Sequence, residues 1–571
     1  MALWPIWQLG AVSTVWIQGQ PREFRPRSVV YTPISNEERF LSVRRAKSLQ
    51  GHSALRMSSL DSSRLSTGSS ILKKLIRIYD LWENWPPRSF ALPGKSIFWV
   101  VSAVRSEGEE YCLAQMNLRE RIISFVPPAV AKRIHETPFG KRLAKGAFWT
   151  LIGSVAAKVL NLPISVYLVR LMGAGHYGEL GMVSNSIELF GVFAGFGLAM
   201  TATKHIAEFR VKDPVRAGRI LALSNVTAVM TGGFFSIVLF VAAPWLASKY
   251  LAAPQLTGLL RIGAFLLFFT AVTSEQNGAL YGFEAFRVSA KLQTIFGLVS
   301  IPLVVGGYFL GGLKGIVGGM LVAKIIDWLL RLIALHREAE RAAVPIVYRD
   351  CIHELPILWR FSVPAVAAGL MVAPVNWICS AMLVNQPHGY AEMGAYNAAS
   401  QWYTALVFLP AILGTGLLPL LSASMGEGDA QSTRKVLSFM LRLNALIVFP
   451  CVLAMSLLSR YIMGAYGHGF TSAWPTLIAV VMTAGVYAII APIGDVIAAS
   501  GRMWLGFLMN VGWGLVFVAA TWLLVGRGSL GLASARLLAY SVHAVWTFAF
   551  AYTIIRQKVS ATVPLETLIE P

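Results

Sequence analysis

The chain has 571 residues, of which 56% are hydrophobic and 13% charged, with a mean hydropathy of +0.60. A chain this apolar cannot be a set of water-soluble domains, and it is predicted to be a membrane protein. Its formal charge is +21, but the Lys and Arg residues lie in short loops between apolar runs. This excludes a nucleic-acid surface, which needs a dense basic tract with exposed aromatic residues.

Residues 1–115 lie outside the apolar pattern and are predicted to be a poorly ordered extension. The Ser- and Arg-containing stretch His52–Ser70 is typical of an organellar transit peptide, although the apolar residues at the front fit that interpretation poorly. The preferred alternative is that translation starts at Met116. Residues 116–146 are then a basic, amphipathic lead-in at the membrane surface.

From about Ala147 onward, twelve apolar runs recur with short polar breaks, each near the length of about 20 residues that crosses a bilayer. The sequence thus predicts an all-α polytopic membrane protein. Six spans fall in residues 147–336 and six in 361–556, joined by a cytoplasmic linker at 337–360 and followed by a tail at 557–571. The predicted spans are 147–170, 179–201, 220–247, 259–281, 290–311, 315–335, 361–385, 393–421, 436–458, 474–498, 504–525 and 531–555.

The distribution of loop charges predicts the orientation. From Lys132 onward, 23 Lys and Arg residues, Arg331 among them, are assigned to one face, and seven, including Arg536, to the other. Because basic loops stay in the cytoplasm, the N-terminus and the C-terminus of the bundle are both predicted to be cytoplasmic.

The two sets of six spans carry weak internal similarity. The stretch YGELG (Tyr177–Gly181) opens the second span and recurs as YAEMG (Tyr390–Gly394) at the start of the eighth. Gly282 after the fourth span likewise matches Gly501 after the tenth. Since six crossings are an even number, the halves are predicted to be parallel repeats related by an axis along the membrane normal.

The stretch GAGHYG (Gly173–Gly178) spells the dinucleotide pattern G-x-G-x-x-G, but no strand precedes it and Leu198 stands where a ribose-binding acid is expected. HELPI at His353 lacks the second His of a zinc protease, and G-x-S-x-G is absent. The protein is therefore predicted to be no enzyme and to hold no cofactor or metal. The cysteines are too scattered for a zinc site or a disulfide framework; they are Cys112, Cys351, Cys379 and Cys451.

Charges inside a membrane are costly, so each predicts a functional site by default. Lys158 in the first span and Glu188 in the second are both placed near mid-depth, where they can meet if their helix faces match. One interpretation is a buried ion pair without function. The favoured one is a substrate phosphate or a proton bound at the bundle centre, because a lone buried pair contributes little stability.

Lys324 and Asp327 are three residues apart and share a helix face, so they either neutralise each other or serve the substrate. Arg442 either snorkels to the interface, the favoured reading, or faces a cavity. Glu275 and Asp495 lie near the cytoplasmic ends of their spans and are expected to be water-exposed.

Helix distortion is a further signal. Asn161 and Pro163 in the first span and Pro364 and Pro374 in the seventh predict bends, because proline removes a backbone donor. The two spans are candidate moving elements of an alternating-access cycle, and a static kink needed for packing explains the same residues equally well.

Several stretches together resemble a known transporter family. Residues 146–210, with a Gly-x-Tyr motif opening the second helix and KHIAE after GFG, are similar to the opening of the bacterial O-antigen and exopolysaccharide unit flippases of the Wzx type. LWRFSVPAVAAGLM (358–371), MGAYNAASQW (393–402) and YGHGFTSAWPTL (466–477) resemble later helices of the same family. These flippases belong to the multidrug/oligosaccharidyl-lipid/polysaccharide (MOP) superfamily.

The resemblance implies two six-helix bundles around a central cavity that opens alternately to each side of the inner membrane. It implies a polyprenyl diphosphate carrying a short oligosaccharide as substrate, with Lys158, Lys324 and Arg442 as the available cations and Glu188 and Asp327 as pairing or ion-coupling acids. Other polysaccharide assembly proteins and membrane lipid are the implied partners. The alternatives are a drug or cation exporter of the same fold, which needs an acidic cavity, and a membrane polymerase or ligase, which needs a long extracytoplasmic loop.

Overall fold

The computed structural model describes residues 138–357, 370–414, 430–500 and 503–560, and for residues 138–162 it gives the backbone path alone. The predicted extension 1–115, most of the lead-in, Pro364 and Gly501 lie outside the described residues. Within them no strand occurs.

The first half of the bundle consists of helices that match the first six predicted spans. They are α1 (Pro138–Gly195), α2 (Leu198–Lys212), α3 (Pro214–Trp245), α4 (Thr257–Gly282) and α5 (Phe286–Arg341). Two of these five helices contain an internal reversal of direction, and α2 is no crossing, so the other four helices make six crossings.

Glycines make those two reversals. Gly173 has φ 76° within α1, and Gly312 has φ 55° within α5, a region that only glycine adopts at low cost. On either side of Gly312 the two arms of α5 pack closely, because a Cβ on Gly307 would meet the carbonyl of Gly315 and one on Gly315 the carbonyl of Gly307. The glycines therefore permit a tight helical hairpin at the break predicted between the fifth and sixth spans.

The chain after the second span differs from the prediction of a loop. Phe196 and Gly197 turn the chain with φ 41° and 64°, and α2 then continues as a separate helix to Lys212. Asp213 ends α2 and begins α3, where its carboxylate accepts a hydrogen bond from the backbone of Arg216. That cap satisfies an orphan donor of the third span and fixes where it starts.

The second half continues the pattern. Two short helices, α9 and α10, lie in the turn between the ninth and tenth spans. They are not among the predicted elements. The helices are α6 (Val372–Val384), α7 (Gly389–Gly414), α8 (Ala430–Leu457), α9 (Ser459–Ala465), α10 (His468–Thr471), α11 (Trp474–Ala499), α12 (Met503–Leu524) and α13 (Gly528–Ser560).

The linker between the halves is attached to the first half. Glu354 is buried and accepts from Arg216 at 3.1 Å, with Arg219 at 3.6 Å. A Cβ on Gly218 would meet the carbonyl of Pro345, so the linker backbone lies directly against α3. The predicted linker is therefore held to the bundle by charge and by close packing.

Length and composition agree with a membrane location. Seven helical segments of the described residues are long and apolar enough to cross a bilayer, and the longest have 50, 56 and 50 residues. A straight helix of 50 residues is about 75 Å long, more than twice the hydrocarbon core of about 30 Å, so each of these makes two crossings. The breaks at Gly173, Gly312 and Gly528 divide them.

The non-helical dihedrals of α1 lie about three turns after its predicted distortion. The backbone of α1 keeps helical dihedrals through Asn161 and Pro163 and departs from them at Gly173. Pro374 is the third residue of α6, where its missing donor costs little because the first turn of a helix has unpaired donors anyway. An interior proline can bend a helix that keeps helical dihedrals, so the bends at Pro163 and Pro374 stay predictions.

Candidate functional site

The turns between successive spans meet at one end of the bundle, named here the closed end. The Tyr390 hydroxyl donates to the carbonyl of Leu251 at 2.7 Å, and Asn385 donates to that of Tyr250 at 2.6 Å. Tyr308 donates to the carbonyl of Leu171 at 3.0 Å, and Ser529 N donates to Glu392 at 2.7 Å. The contacts of Tyr390 and Asn385 join turns of the first half to turns of the second, and the other two join turns within one half.

The repeated motif forms the crossing of the two halves. A Cβ on Gly178 would meet the carbonyl of Tyr390, one on Gly181 the side chain of Asn397, and one on Gly394 the carbonyl of Ala174. The second and eighth spans therefore touch backbone to backbone through the glycines of YGELG and YAEMG. We call this crossing the glycine seam.

The two glutamates of the motif accept hydrogen bonds from residues in neighbouring turns. Glu392 accepts from Ser529 N at the first turn of α13, beside Gly528, which has φ 66°. Glu179 accepts from Gln255 Nε2 at 3.2 Å, next to the turn before α4. Each copy of the motif thus packs through glycine and anchors a neighbouring turn through its acid.

Below the glycine seam, Gln401 links the two halves. Its Nε2 donates to Tyr177 Oη at 2.5 Å and to Ser165 Oγ at 2.9 Å, both in α1. Its Oε1 accepts from Tyr466 Oη at 3.2 Å, and that hydroxyl accepts from Trp402 Nε1 at 3.1 Å. The amide is therefore satisfied only when the two halves meet at this point.

Two further hydrogen bonds cross between the halves deeper in the bundle. Asn185 Nδ2 donates to Ser380 Oγ at 3.2 Å, and Trp377 Nε1 donates to Ser186 Oγ at 3.0 Å. Ser186 is eight residues past Gly178, which places this contact about 12 Å below the glycine seam.

A buried polar network in the first half contains two of the predicted site residues. Lys324 Nζ lies 3.0 Å from Asp327 Oδ2, and Arg331 Nε lies 2.8 Å from Asp327 Oδ1. Arg331 Nη1 also donates to Asn277 Oδ1 at 2.8 Å, and Ser289 donates to the same oxygen at 2.7 Å. Two cations thus share one carboxylate, and the network has a net charge of +1.

Several residues lie deeper than expected. Glu275 is 1% exposed, and both its carboxyl oxygens lack a partner among the described residues, so the prediction of a water-exposed side chain is wrong. Arg331 and Arg536, assigned to loops, are 5% and 7% exposed. Asp495 is half-buried.

Arg536 occupies an aromatic cage in the second half. Its Nη1 donates to Tyr396 Oη at 3.1 Å, and its guanidinium lies 4.4 Å from the ring centroid of Tyr403 and 5.8 Å from that of Tyr540. Its Nε is buried and has no partner among the described residues. The predicted site residue Glu188, in the first half, is half-buried.

Arg536 and Arg331 were not among the predicted site residues, although their positions in the sequence indicated burial. Arg536 falls inside the predicted span 531–555 and Arg331 inside 315–335. The assignment of these two arginines to loops therefore contradicts the predicted boundaries of the spans.

Arg442 and Lys158 remain to be placed. At 100° per residue, Arg442 shares a stripe with Leu446, Phe449 and Leu453, which are exposed, opposite the face on which Leu437 is buried. That position favours snorkelling over a cavity. For Lys158 the helical backbone is described, and the side chain lies outside the described part, as does that of Asn161. Within the described residues no group of three or more His, Cys, Asp and Glu side chains could hold a metal.

Known structures define the class of the fold. An inward-facing multidrug resistance MATE family transporter of the MOP superfamily superimposes with a TM-score of 0.59 at 15% identity, covering 73% of this chain and 100% of that one. A MOP superfamily transporter from Pyrococcus furiosus gives 0.56 at 17% identity, over 73% of this chain and 96% of that one. The all-α fold of two six-helix halves is therefore confirmed as MATE-like.

Sequence comparisons refine the class. Residues 143–425 match the family model described as polysaccharide biosynthesis protein. The EPS I polysaccharide export inner membrane protein EpsE of Ralstonia nicotianae is 24% identical over 387 residues, 66% of this chain and 87% of that protein. The lipid III flippase of Escherichia coli K12 is 24% identical over 416 residues, 70% and 96% of the two chains. The chain is therefore similar to polysaccharide transporters in sequence, and it shares its fold with transporters of the MOP superfamily.

Proposed function

We propose that this protein is a transporter that flips lipid-linked oligosaccharide units across the bacterial inner membrane by alternating access. The substrate is a polyprenyl diphosphate carrying a short glycan for O-antigen or exopolysaccharide synthesis. The similarity to an export protein and to a lipid III flippase supports this assignment.

One structural observation carries the mechanism. The two halves meet at the closed end through the glycine seam and through Gln401, contacts that can separate without breaking either half. Cations of both halves, the half-buried Lys324 and the buried Arg536, lie in the spans below that end. An anionic head group can then be held at mid-depth while the seam opens and closes above it.

The predicted cations take different parts in this proposal. Lys158 and Lys324 bind the diphosphate, Lys324 within a network whose net charge of +1 leaves attraction for an anion. Glu188 and Asp327 balance these charges when substrate is absent. Arg442, on the exposed stripe of α8, holds the ninth span at the membrane interface.

The orientation follows from the loop charges. The closed end carries few basic loop residues and faces the periplasm. The N-terminus and the C-terminus of the chain both lie on the cytoplasmic side. The linker, with Glu354 bound to Arg216 and Arg219, is then cytoplasmic, where other polysaccharide assembly proteins can reach it.

The test is transport by the purified full chain in proteoliposomes. A polyprenyl-diphosphate-linked oligosaccharide is supplied on one face, and its appearance on the other is measured with a membrane-impermeant glycosidase. We expect flipping by the wild type and at least a tenfold loss in Lys158→Ala, with normal insertion, because a charge-assisted phosphate contact contributes about 1.5–3 kcal/mol.

Arg460→Ala removes a cation from the closed end and is the matched control. Equal flipping by the wild type and by empty liposomes would refute the proposal, and wild-type rates in Lys158→Ala would refute the role of that residue. Extrusion of a cationic dye with no glycan movement would assign the chain to the drug exporters instead.

A further inference from the structure

The face of α7 that packs on α1 carries two carboxamides. Gly394, Asn397 and Gln401 follow one another at spacings of three and four residues, so they share one face of the helix. Gly394 lies in the glycine seam, and a Cβ on Gly181 of α1 would meet the side chain of Asn397. Gln401 is seven residues past Gly394, which places its amide about 10 Å below the seam. We call this face the amide stripe.

The two amides of the stripe differ in how well their polar atoms are satisfied. Gln401 Nε2 donates to Tyr177 and Ser165 of the first half, and its Oε1 accepts from Tyr466 of the second half. Asn397 Nδ2 is buried and finds no hydrogen-bond partner in the part of the chain that the structure describes. A buried donor without a partner is costly, so it indicates a group that is used in another state or by a ligand.

Opening of the closed end uncovers the amide stripe. Gln401 belongs to the second half and its acceptors Tyr177 and Ser165 to the first, so separation of the halves breaks both bonds of Nε2. The groups then released are amide donors and hydroxyls, and a hydroxyl both donates and accepts. None of these groups carries a charge. A phosphate offers acceptors alone and an ammonium group donors alone, whereas a sugar offers both and therefore matches the set.

We propose that the amide stripe and the hydroxyls opposite it bind the glycan as it leaves through the opened closed end, and that they help to determine which lipid-linked substrates are transported. This inference rests on the proposed function. Sugar hydroxyls replace the bonds that Gln401 makes to the first half and give Asn397 a partner. The rings of Tyr177 and Trp402, on either side of the amide, offer apolar faces to the C–H groups of a sugar ring. The glycan is thus recognised apart from the diphosphate.

The experiment measures binding to the full chain in nanodiscs by calorimetry. The probes are farnesyl diphosphate and farnesyl diphosphate capped with glucose, galactose or N-acetylglucosamine. The wild type should bind at least one capped probe about tenfold more tightly than the bare diphosphate, because the sugar adds several hydrogen bonds. Gln401→Leu and Tyr177→Phe, which keep most of the side-chain volume, should reduce this sugar-dependent gain to below about threefold and leave the Kd of bare farnesyl diphosphate unchanged.

Matched controls make the same substitutions within one half. Gln293→Leu removes an amide that is bonded to Tyr281 and Ser289, and Tyr308→Phe removes a hydroxyl that donates to the carbonyl of Leu171. Both variants should keep the sugar-dependent gain of the wild type, because neither group faces the second half.

Three results would overturn the proposal. They are a wild type that binds no capped probe more tightly than the bare one, a gain that persists in both stripe variants, and an equal weakening of bare and capped probes. The last result would assign the stripe to sealing the closed end alone. A wild type that shows the sugar-dependent gain but does not flip the lipid-linked oligosaccharide would leave the sugar site in place and refute the proposed function.

Discussion

At the scale of single residues, the charged side chains in the described interior differ in whether a residue of opposite charge contacts them. Asp327 serves two cations, Lys324 and Arg331, whereas Arg536 is surrounded by neutral groups. Sequence spacing anticipated the Lys324–Asp327 contact, because residues three apart share a helix face. It could not anticipate Asn277 as the further partner of Arg331, since that contact joins α4 and α5.

Removing the shared carboxylate should be costly. Asp327→Asn leaves the buried Arg331 and the half-buried Lys324 without a counter-charge, and we expect a loss of about 3–5 kcal/mol in the free energy of unfolding. Unfolding in mixed micelles, followed by circular dichroism, measures the loss. Glu338→Gln on the same helix, which removes only the partner of the exposed Arg341, should change stability by less than about 1 kcal/mol. Equal effects of the two substitutions would contradict this account.

At the scale of helices, glycines determine how closely spans approach and where they reverse. Gly173 and Gly312 turn their helices back, and Gly178 and Gly394 allow backbone contact across the glycine seam. The prolines singled out in the first and seventh spans lie inside α1 and in the first turn of α6, and the bends predicted for them stay predictions.

Alanine substitutions at two glycines of one turn distinguish the effect of close packing from that of reduced backbone flexibility. Gly178→Ala places a methyl group against the carbonyl of Tyr390, so the second and eighth spans must separate. Gly175→Ala adds the same group where nothing lies within 4 Å. We expect Gly178→Ala to reduce flipping severalfold and to expose Gln401→Cys, introduced as a reporter, to a membrane-impermeant thiol reagent.

Gly175→Ala should match the wild type in both measurements. Identical behaviour of the two alanine variants would show that the glycine seam does not depend on close approach, contrary to the packing described here.

At the scale of the whole molecule, the halves are joined below the glycine seam by contacts between residues far apart in sequence. Asn185 and Ser380 are 3.2 Å apart through short side chains, and Ser186 and Trp377 meet beside them. Alternating access requires these contacts to break in every cycle. The proposal therefore predicts that a covalent bond at this position stops transport.

The variant Asn185→Cys/Ser380→Cys, in a background with the four native cysteines replaced by serine, tests this prediction. Oxidation should form the disulfide, read as protection from a thiol-directed maleimide label, and should abolish flipping in proteoliposomes. Reduction should restore it. The single variants, treated with the same oxidant, are the control, and full transport by the crosslinked protein would show that the halves do not separate here.

The sequence by itself determined the class of the protein, the helical spans and most of their boundaries. Apolar runs of about 20 residues are a local property that follows from bilayer thickness. The predicted tenth span, 474–498, therefore differs from α11 (Trp474–Ala499) by one residue. Local pattern also located the break between the fifth and sixth spans at Gly311 and Gly312.

Only the tertiary structure decided which side chains meet. Burial of Glu275, the aromatic cage of Arg536 and the bonds of Gln401 all depend on helices distant in sequence. Hydropathy treats every charge near a helix end as exposed, whereas packing decides whether water reaches it. The motif shared by Tyr177–Gly181 and Tyr390–Gly394 indicated a duplication, and the fold showed that its two copies pack against each other.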